Sequence, residues 1–171
     1  MTTGALATVS LAAGTLQALR EHAREAYPNE CCGLILRRGR REEVRRIPNI
    51  QDELHAADPE RYPRTARIAY YMDGKELLGV LNEVDRDGWE VATFYHSHPD
   101  HEAYFSQEDM ERALFQGEPL YPDTAYVILA LDAAEIREVK AFRWDPAKRA
   151  FAEFPIAETP SVGEGRPGGI R

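Results

Sequence analysis

Cysteine is scarce. The 171 residues contain two, and they are neighbours, Cys31 and Cys32. Adjacent cysteines rarely bridge, which excludes a disulfide framework and fits a reducing cytoplasm. Packing beside a strand is the expected role of these thiols, because a buried thiol behaves as a small hydrophobe. Metal ligation is the alternative. Long apolar runs are also missing. None approaches the roughly 20 residues of a membrane span, which argues against a membrane protein. The apolar start, Met1 to Ala13, has no basic residue before Arg20. It therefore reads as a strand leading into a helix, not as a secretory leader. Positive charge is in deficit: the net charge is −8, which argues against a general nucleic-acid binder. The one dense basic run (Arg37, Arg38, Arg40, Arg41, Arg45, Arg46) surrounds a hairpin turn expected at Gly39 and reads as a solvated edge that discourages strand pairing. Lysine occurs only at 75, 140 and 148, which implies nothing about function. There is no internal repeat. Two zinc signatures are absent as well: no H-E-x-x-H, and no P-C-x-x-C to accompany a deaminase H-x-E.

The length is that of one domain with a real core. Hydrophobic periodicity predicts a strand over Ala5 to Leu11 and a helix over Ala13 to Ala26 with a seam at Leu16, Leu19, Ala23 and Ala26. His22 lies beside that seam and reads as a surface or packed histidine. A strand pair is expected over Cys31 to Arg37 and Glu43 to Ile50. Gln51 to Pro63 reads as a loop with local turns. It holds His55, which nothing in the sequence ties to a site. Ala66 to Met72 reads as a strand. A helix capped by Asp73 follows, with Leu77, Leu78, Leu81 and Val84 as its buried face. The next elements are a strand up to Pro99, a helix over Gln107 to Gln116, a loop over Gly117 to Asp123, strands over Thr124 to Leu131 and Glu135 to Trp144, and an edge over Phe151 to Pro155. The domain is expected to occupy residues 1–157. Glu158 to Arg171, rich in Gly and Pro, reads as a disordered tail.

The chemistry concentrates in His96-Ser97-His98-Pro99, Ser106 and Asp109. The run Val91 to Tyr95 is β-branched and aromatic, hence a strand. Residues two apart on a strand point to the same side, so His96 and His98 would project together. Asp109 could add a carboxylate oxygen. Two nitrogens, one oxygen and an open position form the pattern of a catalytic zinc site. Each piece also has a plain explanation: H-x-H arises by chance, and Ser106-Gln107-Glu108-Asp109 is a sound helix cap. Upstream, Glu30 stands directly before the apolar run Cys31 to Leu36. It is a candidate general base for hydrolysis, or else simply a solvated turn residue after Pro28-Asn29.

Taken together, Glu30, His96, His98, Ser106 and Asp109 resemble the pattern of the JAMM (MPN-plus) metallopeptidases. That pattern is a glutamate on an early strand, then H-x-H followed at fixed spacing by S-x2-D. The chain departs from it at no position. The resemblance extends from Ala5 to Phe154, and Tyr27 to Gly33 is similar to the short bacterial branch. It implies an α/β (α+β) fold, a curved mixed sheet flanked by helices, resembling that of cytidine deaminases. It implies Zn2+ held by His96, His98 and Asp109, Glu30 as general base, and Ser106 as donor to the oxyanion. The implied substrate is a ubiquitin-like or sulfur carrier protein with a Gly-Gly C-terminus, cut after the second glycine. His101, Glu102 and Tyr104 would rim the groove, or form a plain solvated loop. The rival readings are a non-catalytic scaffold that keeps the fold alone and a zinc peptidase acting on small peptides.

Overall fold

In the computed structural model, residues 8–133 and 135–162 are described. Strands β2 (Cys32–Arg38) and β3 (Arg41–Ile47) form a hairpin that pairs Arg38 with Arg41. Its turn passes through Gly39 at φ +60, a conformation open to glycine because it lacks a Cβ. The next strand, β4 (Glu90–Pro99), lies antiparallel to β2, and β7 (Ala125–Asp132) lies parallel to β4. Strands β8 (Glu135–Asp145) and β9 (Ala150–Phe154) continue antiparallel, giving the mixed order β3-β2-β4-β7-β8-β9. A parallel neighbour requires a crossover. Here the crossover carries the helix α4 (Gln107–Ala113) and the two-residue strands β5 (Leu114–Phe115) and β6 (Glu118–Pro119).

Both faces of the central strands are covered, which is why they read as continuous apolar runs. Helix α1 (Ala13–Ala26) buries Leu16, Leu19 and Ala23 against Ile35, Tyr95, Val127 and Leu129. On the opposite face, Leu77, Val80, Leu81 and Val84 of α3 (Gly74–Asp87) cover Leu34, Leu36, Ile47 and Trp89. Gly33 is required by close approach: a Cβ there would meet the Arg45 carbonyl and lie 2.6 Å from the Tyr95 hydroxyl. Strand β1 (Val9–Ala12) pairs in parallel with β10 (Ile156–Thr159). Among the described residues no helix is long and apolar enough to cross a membrane.

Several local expectations need correction. Ala66 to Met72 is not a strand. It is a turn and an extended segment with one isolated bridge, Asn49 to Met72, because its backbone groups bond to side chains and neighbouring loops instead of a ladder. The Ala66 amide donates to Asp52 (2.7 Å) and the Tyr71 amide to the Asn49 side chain (3.0 Å). Gln51–Ala57, read as loop, forms the short helix α2. Leu78 is 58% exposed, since it lies off the stripe of Leu77, Leu81 and Val84. Helix α4 stops at Ala113, short of Gln116, because Leu114 is already extended and pairs in β5; Gln116 and Gly117, both at positive φ, then turn the chain into β6. The first strand is described from Val9, and Ala5 to Ala7 lie outside the described residues. Of the segment read as a disordered tail, Glu158 and Thr159 belong to β10, and residues 163–171 lie outside the described residues.

Candidate active site

Strand alternation settles where the two histidines point. Tyr95 packs into the α1 layer and Phe94 into the α3 layer, so His96 and His98 follow Phe94. Ser97, turned the other way, accepts a hydrogen bond from the Cys31 amide at 2.8 Å. That bond locks the start of β2, and with it Glu30, beside the histidine strand. Pro99 ends β4 and the loop returns to α4, whose first turn carries Asp109.

The three side chains converge. His96 Nε2 lies 3.1 Å from His98 Nε2, and Asp109 Oδ1 lies 3.5 Å from His96 Nε2. One ligand atom from each falls within 4.8 Å of the others, and all three residues are buried. Two nitrogens bound to one tetrahedral zinc at about 2.0–2.1 Å would stand about 3.3 Å apart, so the spacing fits a metal ion. The surrounding hydrogen bonds fit as well. His98 Nδ1 lies 2.8 Å from the Glu102 carbonyl. A carbonyl only accepts, so Nδ1 carries the proton and Nε2 offers its lone pair to the cluster. Burial, with His96 adjacent, pushes His98 down to about 4, so its ring is neutral at physiological pH. Against the penalty of burial, His96 and the Ser106 hydrogen bonds hold Asp109 well below the usual carboxylate range. Burial likewise opposes charge on His96, but the Asp109 carboxylate outweighs it and raises that pKa.

Asp109 satisfies both explanations open from the sequence. Its Oδ2 accepts from the Ser106 amide (2.9 Å) and hydroxyl (2.7 Å), while the Asp109 amide donates to Ser106 Oγ (3.1 Å). This is a capping box. The other oxygen, Oδ1, remains free to face the histidines. Ser106 thus spends its proton on Asp109 in this structure, and donating to an oxyanion requires its hydroxyl to rotate.

Glu30 is buried at 5% exposure, not solvated. Burial pushes its carboxyl up to about 8, against the pull of His96. It lines a cleft of about 280 Å³ together with His96, His98, Ser106 and Asp109. The adjacent thiols are free and buried, and desolvation pushes Cys31 up to about 11. Their role is packing, and the metal-compatible group includes neither of them. The loop after Pro99 takes part in the site: the Glu102 backbone holds His98, the Tyr104 ring meets the His98 ring edge-on at 5.1 Å, and His101 lines the cleft. His22 packs on Tyr95, its Nδ1 2.7 Å from the hydroxyl. His55 Nδ1 bonds to the Tyr62 carbonyl, away from the cluster.

Sequence reasoning missed one wall of the cleft. Tyr70 stacks on His96 with ring centres 4.5 Å apart. Glu108 bridges Arg64 and Arg112, each at 2.7 Å, and Arg112 also donates to the Tyr70 carbonyl. Helical spacing of Glu108 and Arg112 signals their pairing, but nothing in the sequence ties either to Tyr70 or Arg64.

A mixed sheet flanked by helices, with paired strand-end histidines and a helix-capping aspartate around one buried point, defines a protein with a metal-compatible centre. The chain belongs to the prokaryotic homologs of the JAB domain, a family that matches residues 12–145. Desampylase of Haloferax volcanii is 31% identical over 113 residues, covering 64% of this chain and 75% of that protein. CysO-cysteine peptidase of Mycobacterium tuberculosis is 27% identical over 141 residues, covering 82% and 85%. The solution structure of a Desulfitobacterium hafniense protein aligns with TM-score 0.63 at 24% identity, over 90% of this chain and 94% of that one, a likeness of fold.

Proposed function

We propose that this protein is a zinc-dependent peptidase or isopeptidase that cleaves after the Gly-Gly tail of a ubiquitin-like or sulfur carrier protein. The observation that carries the reading is the convergence of His96 Nε2, His98 Nε2 and Asp109 Oδ1 beside the buried Glu30. His96, His98 and Asp109 would hold the ion. Zinc supplies Lewis-acid polarisation of the scissile carbonyl and lowers the pKa of a water to about 7. Glu30 takes the proton of the attacking water on a carboxylate oxygen and passes it to the leaving amine. The positive charge of a bound ion would favour the ionised carboxyl that accepts this proton. Ser106, once rotated away from Asp109, donates to the developing oxyanion. Tyr70, stacked on His96, and Tyr104, edge-on to His98, restrict the orientation of the two imidazoles.

The substrate class rests on the family resemblance and on the names of the relatives, one a desampylase and one a CysO-cysteine peptidase. Glycines let a substrate backbone approach the buried ligands closely. Free thiols in the core support a cytoplasmic setting. The test uses a sulfur-carrier protein extended past its Gly-Gly, with intact mass as the readout. Release of the extension by the zinc-loaded protein, and none by Glu30→Gln, is the expected result. Equal cleavage of unrelated short peptides would transfer the reading to a general peptidase. Zinc binding without hydrolysis of either substrate would leave a scaffold.

A further inference from the structure

We propose that Asn49 is the positioning residue for Glu30, tying the strand start that carries the glutamate to the Arg64–Met72 strap that walls the cleft. The proposal rests on the peptidase reading only for the identity of the base. Among the described residues no hydrogen bond reaches the Glu30 carboxylate, so its direction is set by the backbone beneath it. Besides the Cys31–Ser97 bonds one residue on, two bonds hold the amide and carbonyl of Glu30 itself: the Glu30 amide donates to the Ala66 carbonyl at 2.7 Å, and Asn49 Nδ2 donates to the Glu30 carbonyl at 3.0 Å. Both partners lead to the strap. Ala66 belongs to it, and the second Nδ2 hydrogen of Asn49 goes to the Ala69 carbonyl at 3.2 Å.

The other end of the amide completes the clamp. Asn49 Oδ1 accepts from the Tyr71 amide at 3.0 Å and from the Gln51 amide at 3.1 Å, the latter at the start of α2. Two donors and two acceptor sites are all that an asparagine amide has, and each is used. The partners also fix which way the amide faces, since carbonyls need the nitrogen and N–H groups need the oxygen. Gln51 adds a bond to the Arg64 carbonyl at 2.8 Å. Tyr70, between the two strap residues that Asn49 grips, is the ring stacked on His96. One side chain therefore sets the spacing between the glutamate and the wall that supports a histidine. A misplacement of about 1 Å at such a site costs on the order of a hundredfold in rate.

Three variants test this. Asn49→Ala removes every bond, and Asn49→Asp keeps the shape but loses both donors. Thr124→Ala, which deletes a hydroxyl bond to the Val91 carbonyl at the far end of β7, controls for loss of stability alone. Zinc content, kcat, KM, melting temperature and amide exchange at Glu30 are measured for each. Both Asn49 variants are expected to retain zinc and KM while kcat falls about tenfold to a hundredfold, with faster exchange of the Glu30 amide. A kcat equal to wild type, or an equal fall in Thr124→Ala, overturns the proposal. Should the wild type not hydrolyse the carrier, the peptidase reading falls instead. Exchange then decides the positioning role, and an unchanged Glu30 amide in Asn49→Ala overturns it.

Discussion

Glu30 combines a carboxyl with a site that water hardly reaches, and this sets two expectations. Burial moves its pKa from 4.5 to about 8 in the metal-free chain. Between those values the folded chain keeps a proton that the unfolded chain has released, so this residue's contribution to stability falls as pH rises through that window. Glu30→Gln removes the penalty. The metal-free variant is expected to gain in melting temperature over the metal-free wild type from about pH 5 to about pH 8. A constant difference across that range would mean that the carboxyl titrates normally. The same variant keeps the shape of the site but cannot accept a proton. It should bind zinc as wild type does and lose about 10²–10⁴ in hydrolytic rate. His96→Ala and Asp109→Ala should instead lose the metal, read by elemental analysis of the purified proteins. Full zinc in both would remove these side chains as ligands.

At the level of elements, Ser106 belongs both to a helix and to a site. Its hydroxyl caps α4 and orients Asp109. Ser106→Ala should lower stability by about 1 kcal/mol through the lost cap, and should also slow hydrolysis. Thermal melting beside single-turnover kinetics separates the two. A rate loss that vanishes at low temperature, where the variant is fully folded, would leave capping as the only role. In the sheet, Gly33 lets Tyr95 lie across β2 and β3. Gly33→Ala forces a Cβ against the Arg45 carbonyl and the Tyr95 ring. Overpacking of this kind costs about 1–3 kcal/mol, so the urea midpoint should drop with the slope unchanged.

For the whole molecule, metal binding and stability are linked. A ligand that binds the folded chain alone adds RT ln(1 + [L]/Kd), about 2.7 kcal/mol at a hundred times Kd. The melting temperature should rise with added zinc and fall again with a chelator. Asp109→Ala should show neither response. A wild-type melting curve indifferent to both would mean that the ligands are not assembled in solution as they are in this structure.

The order of elements was largely legible in the chain, because periodicity reports which face of a segment is buried. The α1 seam, the β2–β3 hairpin and the alternation across β4 all follow from local pattern. Type and spacing also single out Glu30, His96, His98, Ser106 and Asp109 as candidates, and the structure brings all five to one cleft. Where the reading failed, the determining bonds join residues far apart in sequence. Ala66 to Met72 has the composition of a strand, but its backbone partners are Asn49, Asp52 and the Pro48–Ile50 loop. Tyr70 finds His96, and Arg64 finds Glu108, only when that segment folds back over α4. Side-chain type and spacing alone thus determined which groups could do chemistry. Their burial, their protonation and the wall that holds them were decided by tertiary structure, because desolvation and hydrogen-bond partnership are properties of the packed site and not of the local chain.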